Sequence, residues 1–192
     1  MTEYRLMPWA EAFAAYGPEW LAIGKARGVN LTLLPDWTRI VVECLTEPAG
    51  VRILAGTDGA RLTSLVPFHI REGRISQIPV RFLEPISGVV AYHAEFISRD
   101  SPAGLLRALV QTREQLSWDV IRLAGILSGS PTEQAILEVA RDDALSLIHR
   151  PGRQSPYFPL GATGEEMVAR RNKRDRYLIR KHAKDFAATA GG

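Results

Sequence analysis

Val51-Arg52-Ile53-Leu54-Ala55-Gly56-Thr57, Asp58-Gly59, and then Arg61-Leu62-Thr63-Ser64-Leu65-Val66-Pro67-Phe68-His69-Ile70 constrain the architecture more tightly than any other stretch of the chain. Apolar residues recur with a period of two on both sides of Asp-Gly, a pair that supplies the positive φ angles a tight two-residue turn requires. The reading is a β-hairpin. A turn over Arg71 to Arg74 then leads into a strand from Ile75 to Val80, and a further strand fits Gly88 to Ile97, so the middle of the chain reads as an antiparallel meander.

On the N-terminal side, Pro8 to Arg27 reads as helical with Gly28 ending it, and Gly17-Pro18 is expected to break it in two. A second helix runs from Pro35 to Thr46, with Trp37, Ile40, Val41, Cys44 and Leu45 on one face. On the C-terminal side, Ser101-Pro102 starts a helix carrying Leu105, Leu109 and Leu116, Trp118 to Ile126 reads as a strand, and Ser130 with Glu133 forms a capping box opening a helix that reaches about Asp143. A strand segment from Ser146 to Leu160, interrupted at Pro151-Gly152, precedes a last helix opened by the Thr163-Gly164-Glu165-Glu166 box. Alternating signals of this kind imply an α/β or α+β layer architecture, taken as a mixed α/β fold with a central, largely antiparallel sheet and helices on both faces.

The 192 residues, 46% of them hydrophobic, suffice for a core without disulfides or metals. No apolar run approaches the roughly 20 residues a spanning helix needs, and Met1 to Leu6 lack the pattern of a secretory leader, so a cytoplasmic location is expected. The single cysteine, Cys44, lies among Val41, Val42 and Leu45 and reads as a buried apolar residue. The formal net charge of +3 is uneven: Arg170 to Asp185 holds eight Lys or Arg against two Asp, and the remainder of the chain is mildly acidic. At helical spacing Arg170, Lys173, Arg174, Arg180, Lys181 and Lys184 share a third of the circumference, with Tyr177 among them. That basic face reads first as a solvated charged face, with an interdomain contact or an anion-binding surface as the alternatives. A single aromatic among the charges argues against a nucleic-acid stacking platform.

Several short pieces, in this order, resemble the first half of the tandem GNAT-fold acyltransferases related to the FemAB group, in particular the CelD-like acetyltransferases. They are Pro35-Asp36-Trp37, Leu65-Val66-Pro67-Phe68 followed by Arg71 to Arg74, Trp118-Asp119-Val120-Ile121-Arg122-Leu123, Ser155-Pro156-Tyr157-Phe158-Pro159-Leu160, and the basic helix Arg170 to Lys184. The resemblance implies a GNAT-like domain over residues 1–162 and a basic helix over 163–192 leading toward a second GNAT domain, with the chain ending before it. It implies acyl transfer to an amine-bearing substrate, and acetyl-CoA or another acyl-CoA held mainly by that second half.

The residues themselves agree about the cofactor. A pyrophosphate needs backbone N–H groups at a strand-to-helix turn, yet Ser98-Arg99-Asp100-Ser101-Pro102-Ala103-Gly104 offers a repelling carboxylate at Asp100 and no N–H at Pro102. No cofactor-binding residue is expected in this chain alone. Acyl transfer also wants a general base, and His93 and Glu95, two apart on a strand, are the one pair that fits. His69, His149 and His182 are scattered, so no metal site is expected. A homodimerising interaction module and an anion or nucleic-acid binder working through the basic helix are the alternatives.

Overall fold

The computed structural model describes residues 2–29, 31–86, 95–150, 152 and 163–190. The chain divides into two units, Met1–Arg150 and Pro151–Gly192.

In the first unit the described elements are β1 (Glu3–Pro8), α1 (Trp9–Arg27), α2 (Pro35–Leu45), β2 (Val51–Asp58), β3 (Arg61–Ile75), β4 (Ile78–Pro85), β5 (Ile97–Ser98), α3 (Ala103–Gln111), α4 (Arg113–Leu116), β6 (Val120–Ile121) and α5 (Pro131–Asp142). The sheet runs β1-β2-β3-β4-β6, with β5 also on β3. Every pairing is antiparallel except that of β4 with β6. Strand β3 is the spine: its Phe68–Ile75 half carries β4, and Ser64 and Leu65 carry β5.

The hairpin forms as its residues demand, Asp58 pairing with Arg61 across Gly59, whose φ is +58°. Past Gly56 the register slips so that Thr57 faces Leu62 and Gly56 faces Ser64, leaving Thr63 as an extra residue on β3. The bulge puts Leu62 and Leu65 in the same core. One core, under α1, gathers Met7, Ala12, Trp20, Ile23, Ile53, Ala55, Leu62, Leu65 and Ile97. The other, under α3 and α5, gathers Leu54, Val66, Phe68, Leu83, Leu105, Leu109, Ala135 and Val139. The sheet is covered on both faces, and β2 is accordingly buried along most of its length. Each fully buried large side chain contributes about 1.5–3 kcal/mol.

Several elements differ from their expected form. Helix α1 passes through Pro18 without breaking, because Gly17, Trp20, Ile23 and Gly24 anchor both halves to the core. The turn expected at Arg71 to Arg74 lies instead at Ser76 and Gln77, which adopt φ of 47° and 75°, so β3 runs on to Ile75. Gly73 has another use: a Cβ there would meet the Phe82 ring at 2.8 Å. In α2 the buried face is Pro35, Thr38, Val41 and Val42, while Ile40 and Cys44 are exposed. The apolar residues were thus one rotation off, and Cys44 is not a core residue. Trp118 to Ile126 contributes only Val120–Ile121 to the sheet; Trp118 is buried, donating its indole N–H to Thr112 Oγ1 at 3.0 Å. Of the strand expected over Gly88 to Ile97, residues 88–94 lie outside the described residues and Ile97 begins β5. Ser146 to Arg150 form no strand, and residues 153–162 lie outside the described residues.

The Ser130 cap is as expected, its hydroxyl accepting from Glu133 N at 3.2 Å, although Glu133 reaches back to Gly129 N at 2.6 Å instead of to Ser130 N. In the second unit Thr163 caps α6 (Gly164–Ala169), accepting from Glu166 N at 3.2 Å. The expected single helix is two, because Asn172 caps a separate α7 (Lys173–Ala190), accepting from Asp175 N at 2.9 Å and donating to Asp175 Oδ2 at 3.0 Å. No described helix is long and apolar enough to cross a membrane.

Candidate functional site

The sheet carries its one described parallel pair at Phe82–Leu83 against Val120–Ile121. In open sheets the crevice beyond the carboxyl ends of parallel strands is where ligands lodge, because the chains leave in different directions there. Here that end is marked by Glu84 on β4 and by Arg122 just after β6, whose N–H bonds Leu83 O at 2.9 Å. Glu84 faces His69 across the β3–β4 ladder, and His69 in turn faces Val51 on β2. Strand alternation puts Glu84 on the side of Phe82 and Ile86, and Ile86 packs with Val41, Val42 and Val51 beside Trp37. The cluster thus lies on the α2 side of the sheet.

Glu84 is 8% exposed, and a buried carboxylate must be paired. Arg71 Nε donates to its Oε2 at 3.2 Å, and Arg122 Nη2 makes an ion pair with Oε1. Both guanidiniums lie over the Phe82 ring, their Cζ atoms 5.9 Å and 4.8 Å from its centroid. Their outer halves are in solvent, the side chains being 49% and 48% exposed. His69 Nε2 stands 3.7 Å from Glu84 Oε2, too far for a hydrogen bond, so the carboxylate acts on the ring through space. Among the described residues two buried nitrogens, His69 Nε2 in this cluster and Trp37 Nε1 on α2, have no hydrogen-bond partner. A buried polar nitrogen left unpaired costs about 1–3 kcal/mol.

Burial, the largest cause, holds the His69 pKa below its usual 6.5; Glu84 opposes the shift and Arg71 and Arg122 reinforce it. His69 is therefore neutral at pH 7. A histidine lowered in the folded state stabilises the fold fully above the unfolded pKa of about 6.5, and that contribution is lost as the pH falls through the lower folded value, since the unfolded chain takes the proton first. Melting temperatures measured from pH 8 to pH 5 should fall toward acid, and His69→Gln should flatten the part of the fall below about pH 6.5. An identical slope in the variant would show that His69 does not carry it.

Of the expected pair, Glu95 is half-buried just ahead of β5 and His93 lies outside the described residues. In the second unit Lys173, Arg174, Tyr177, Arg180, Lys181 and Lys184 are exposed on α7, whereas Arg170 sits at the end of α6, so the basic face begins at Lys173. Among the described residues no three of His, Cys, Asp and Glu gather to hold a metal. The Glu84 cluster went unseen because the strand was ended at Val80. Extended to Pro85, the alternation Phe82, Glu84, Ile86 would have flagged a carboxylate on an apolar face.

The turn from β5 to α3 is the place where the sequence leads one to look for a pyrophosphate cradle. Pro102 brings no N–H, Ala103 N donates to Ser101 Oγ at 3.3 Å, and Asp100 is exposed there. Arg99 is drawn back onto β3, its N–H on Thr63 O at 2.8 Å and its Nε on Leu62 O at 3.0 Å. Tyr4 fills the inner side of the first helical turn, its hydroxyl standing 2.5 Å from where a Cβ on Gly104 would lie.

No family model matches the sequence, and no curated protein does. Among solved structures the chain is similar to an aminoglycoside acetyltransferase from an uncultured soil metagenomic sample, at 12% identity and a TM-score of 0.51, over 84% of this chain and 99% of that one. It is similar also to a probable acetyltransferase, at 10% identity and a TM-score of 0.50, again over 84% and 99%. Identities this low speak for the backbone alone, and what they establish with the sheet order and the two helical layers is that this chain has the GNAT acyltransferase fold.

Proposed function

We propose that this protein is the GNAT-fold, acceptor-side unit of a cytoplasmic CoA-dependent N-acyltransferase of the tandem, FemAB-related kind. In this reading the chain forms a wall against which an amine-bearing substrate is placed, and the acyl-CoA is held by a second GNAT domain of the same protein. The observation that carries it is the turn between β5 and α3, where an occupied N–H, a proline and a carboxylate stand where a pyrophosphate needs donors. The Glu84 cluster supplies the polar, partly desolvated surface such a wall requires.

Helix α7 supports the partner. Tyr177 is 65% exposed, and Leu178 and Ile179 are exposed beside it, so the basic helix presents apolar as well as charged surface, as an interdomain or homodimer contact does. A nucleic acid would gain the charges and little stacking, Tyr177 being the one aromatic among them.

A thermal-shift titration tests the division of labour. A ligand that binds only the folded state at a hundred times its Kd stabilises by about 2.7 kcal/mol. Acetyl-CoA at millimolar concentration should leave the melting temperature of this chain unchanged. A saturable rise of several degrees would place the carrier in this unit and end the proposal.

A further inference from the structure

We propose that Arg71 and Arg122 form a receptor for the carboxylate of the acceptor, so that the amine acylated belongs to a molecule of amino-acid type. The inference rests on the acceptor-side reading above and names the substrate class of that same site.

The first argument is the count of charges. Two guanidiniums meet one carboxylate, Glu84, with His69 uncharged beside them, which leaves a single positive charge unneutralised. A carboxylate matches it with one negative charge. A phosphate monoester carries about 1.5 to 2 at neutral pH and would be left under-compensated.

The second argument is geometry. Each arginine spends one nitrogen on Glu84, Nε from Arg71 and Nη2 from Arg122, and its remaining N–H groups face solvent with no partner among the described residues. Contact with the Phe82 ring and with Glu84 restrains both planes, so little side-chain freedom remains to be lost on binding. An ion pair that served only to join the strands would close on itself. This one stands at the carboxyl end of the parallel pair, with His69 Nε2, which has no hydrogen-bond partner among the described residues, 3.7 Å from Glu84. A zwitterion with its carboxylate on the arginines brings its amine toward the neutral His69 imidazole, a group able to take an ammonium proton.

The experiment is a binding assay on the intact chain, needing no acyl carrier. The probes are the common L-amino acids, the amide of each that binds, and O-phosphoethanolamine, read by the Nε–H NMR signals of Arg71 and Arg122. At least one amino acid should shift both signals saturably, and its amide should bind at least tenfold more weakly, a factor of ten being about 1.4 kcal/mol and a hydrogen bond to a charged group about 1.5–3. Arg122→Met, verified as folded by its circular dichroism and melting temperature, should lose binding by a similar factor, and Arg122→Lys should not restore it. Equal binding of acid and amide, tighter binding of phosphoethanolamine, or no shift with any amino acid would each overturn the proposal. The acid-against-amide comparison uses the unaltered protein, so a variant that fails to fold does not spoil the test. The readout is also independent of acetyl-CoA, so stabilisation by the carrier would sink the division of labour without touching this result, and the reverse holds too.

Discussion

Trp20→Ala should lower the stability of the first unit by about 3–5 kcal/mol, the range for emptying a large buried aromatic site, and bring its melting temperature down by roughly 10 °C for a unit of this size. Trp20 is 1% exposed at the centre of the α1 core, and its indole N–H donates to Leu33 O at 2.8 Å. Leu33 belongs to the turn that carries the chain from α1 into α2, so the bond holds the connection as well as the core. Trp20→Phe separates the two effects. It keeps most of the apolar contact and strands the Leu33 carbonyl, an orphaned buried acceptor that costs about 1–3 kcal/mol. Denaturant titrations of both variants read the difference directly. A loss in the alanine variant under about 1 kcal/mol, the centre of ordinary substitutions, would show that Trp20 is not the keystone its burial indicates.

The second large effect is a coupling between residues a hundred positions apart. Tyr4, Gly56 and Ser64 occupy one row across β1, β2 and β3, and the phenol lies along that row to reach Gly104 in the first turn of α3. A Cβ on Gly104 would stand 2.5 Å from the Tyr4 hydroxyl and 3.5 Å from the ring carbon behind it. Gly104→Ala should therefore destabilise by about 1–3 kcal/mol as overpacking does. In a Tyr4→Phe background the close atom is gone, and the same change should become neutral or favourable, since alanine is about 1 kcal/mol better than glycine inside a helix. A double-mutant cycle measures this as a coupling energy. Additive effects would mean that Tyr4 simply moves aside.

What the residues made legible was whatever their neighbours along the chain determine. Asp58-Gly59 with flanking alternation locates the hairpin, and Ser130 and Thr163 locate their helix starts, because turns and caps are made within a few residues. Misreadings arose where two local signals competed. Gly73 reads as a turn residue, yet its missing side chain accommodates Phe82 from the neighbouring strand, and the turn falls on Ser76-Gln77, which carry no such mark. The residues from Thr163 onward read as one last helix, yet Asn172 caps a new one within it. The site was least legible of all. His69, Arg71, Glu84 and Arg122 meet only through strand register, and that register depends on where β3 turns, so one misplaced turn concealed the whole cluster.

The parallel seam between β4 and β6 is two residue pairs long, Phe82 with Val120 and Leu83 with Ile121. Clips complete it at either end: Asp119 N on Arg81 O at 2.9 Å with Arg81 N on Asp119 Oδ2 at 2.8 Å, and Arg122 N on Leu83 O at 2.9 Å. A joint with so few rungs opens at a lower free energy than the longer β2–β3 ladder. Arg122 lies at that joint through its backbone and in the cluster through its guanidinium, so tension applied to the side chain is felt by one of the two shortest pairings described in the sheet.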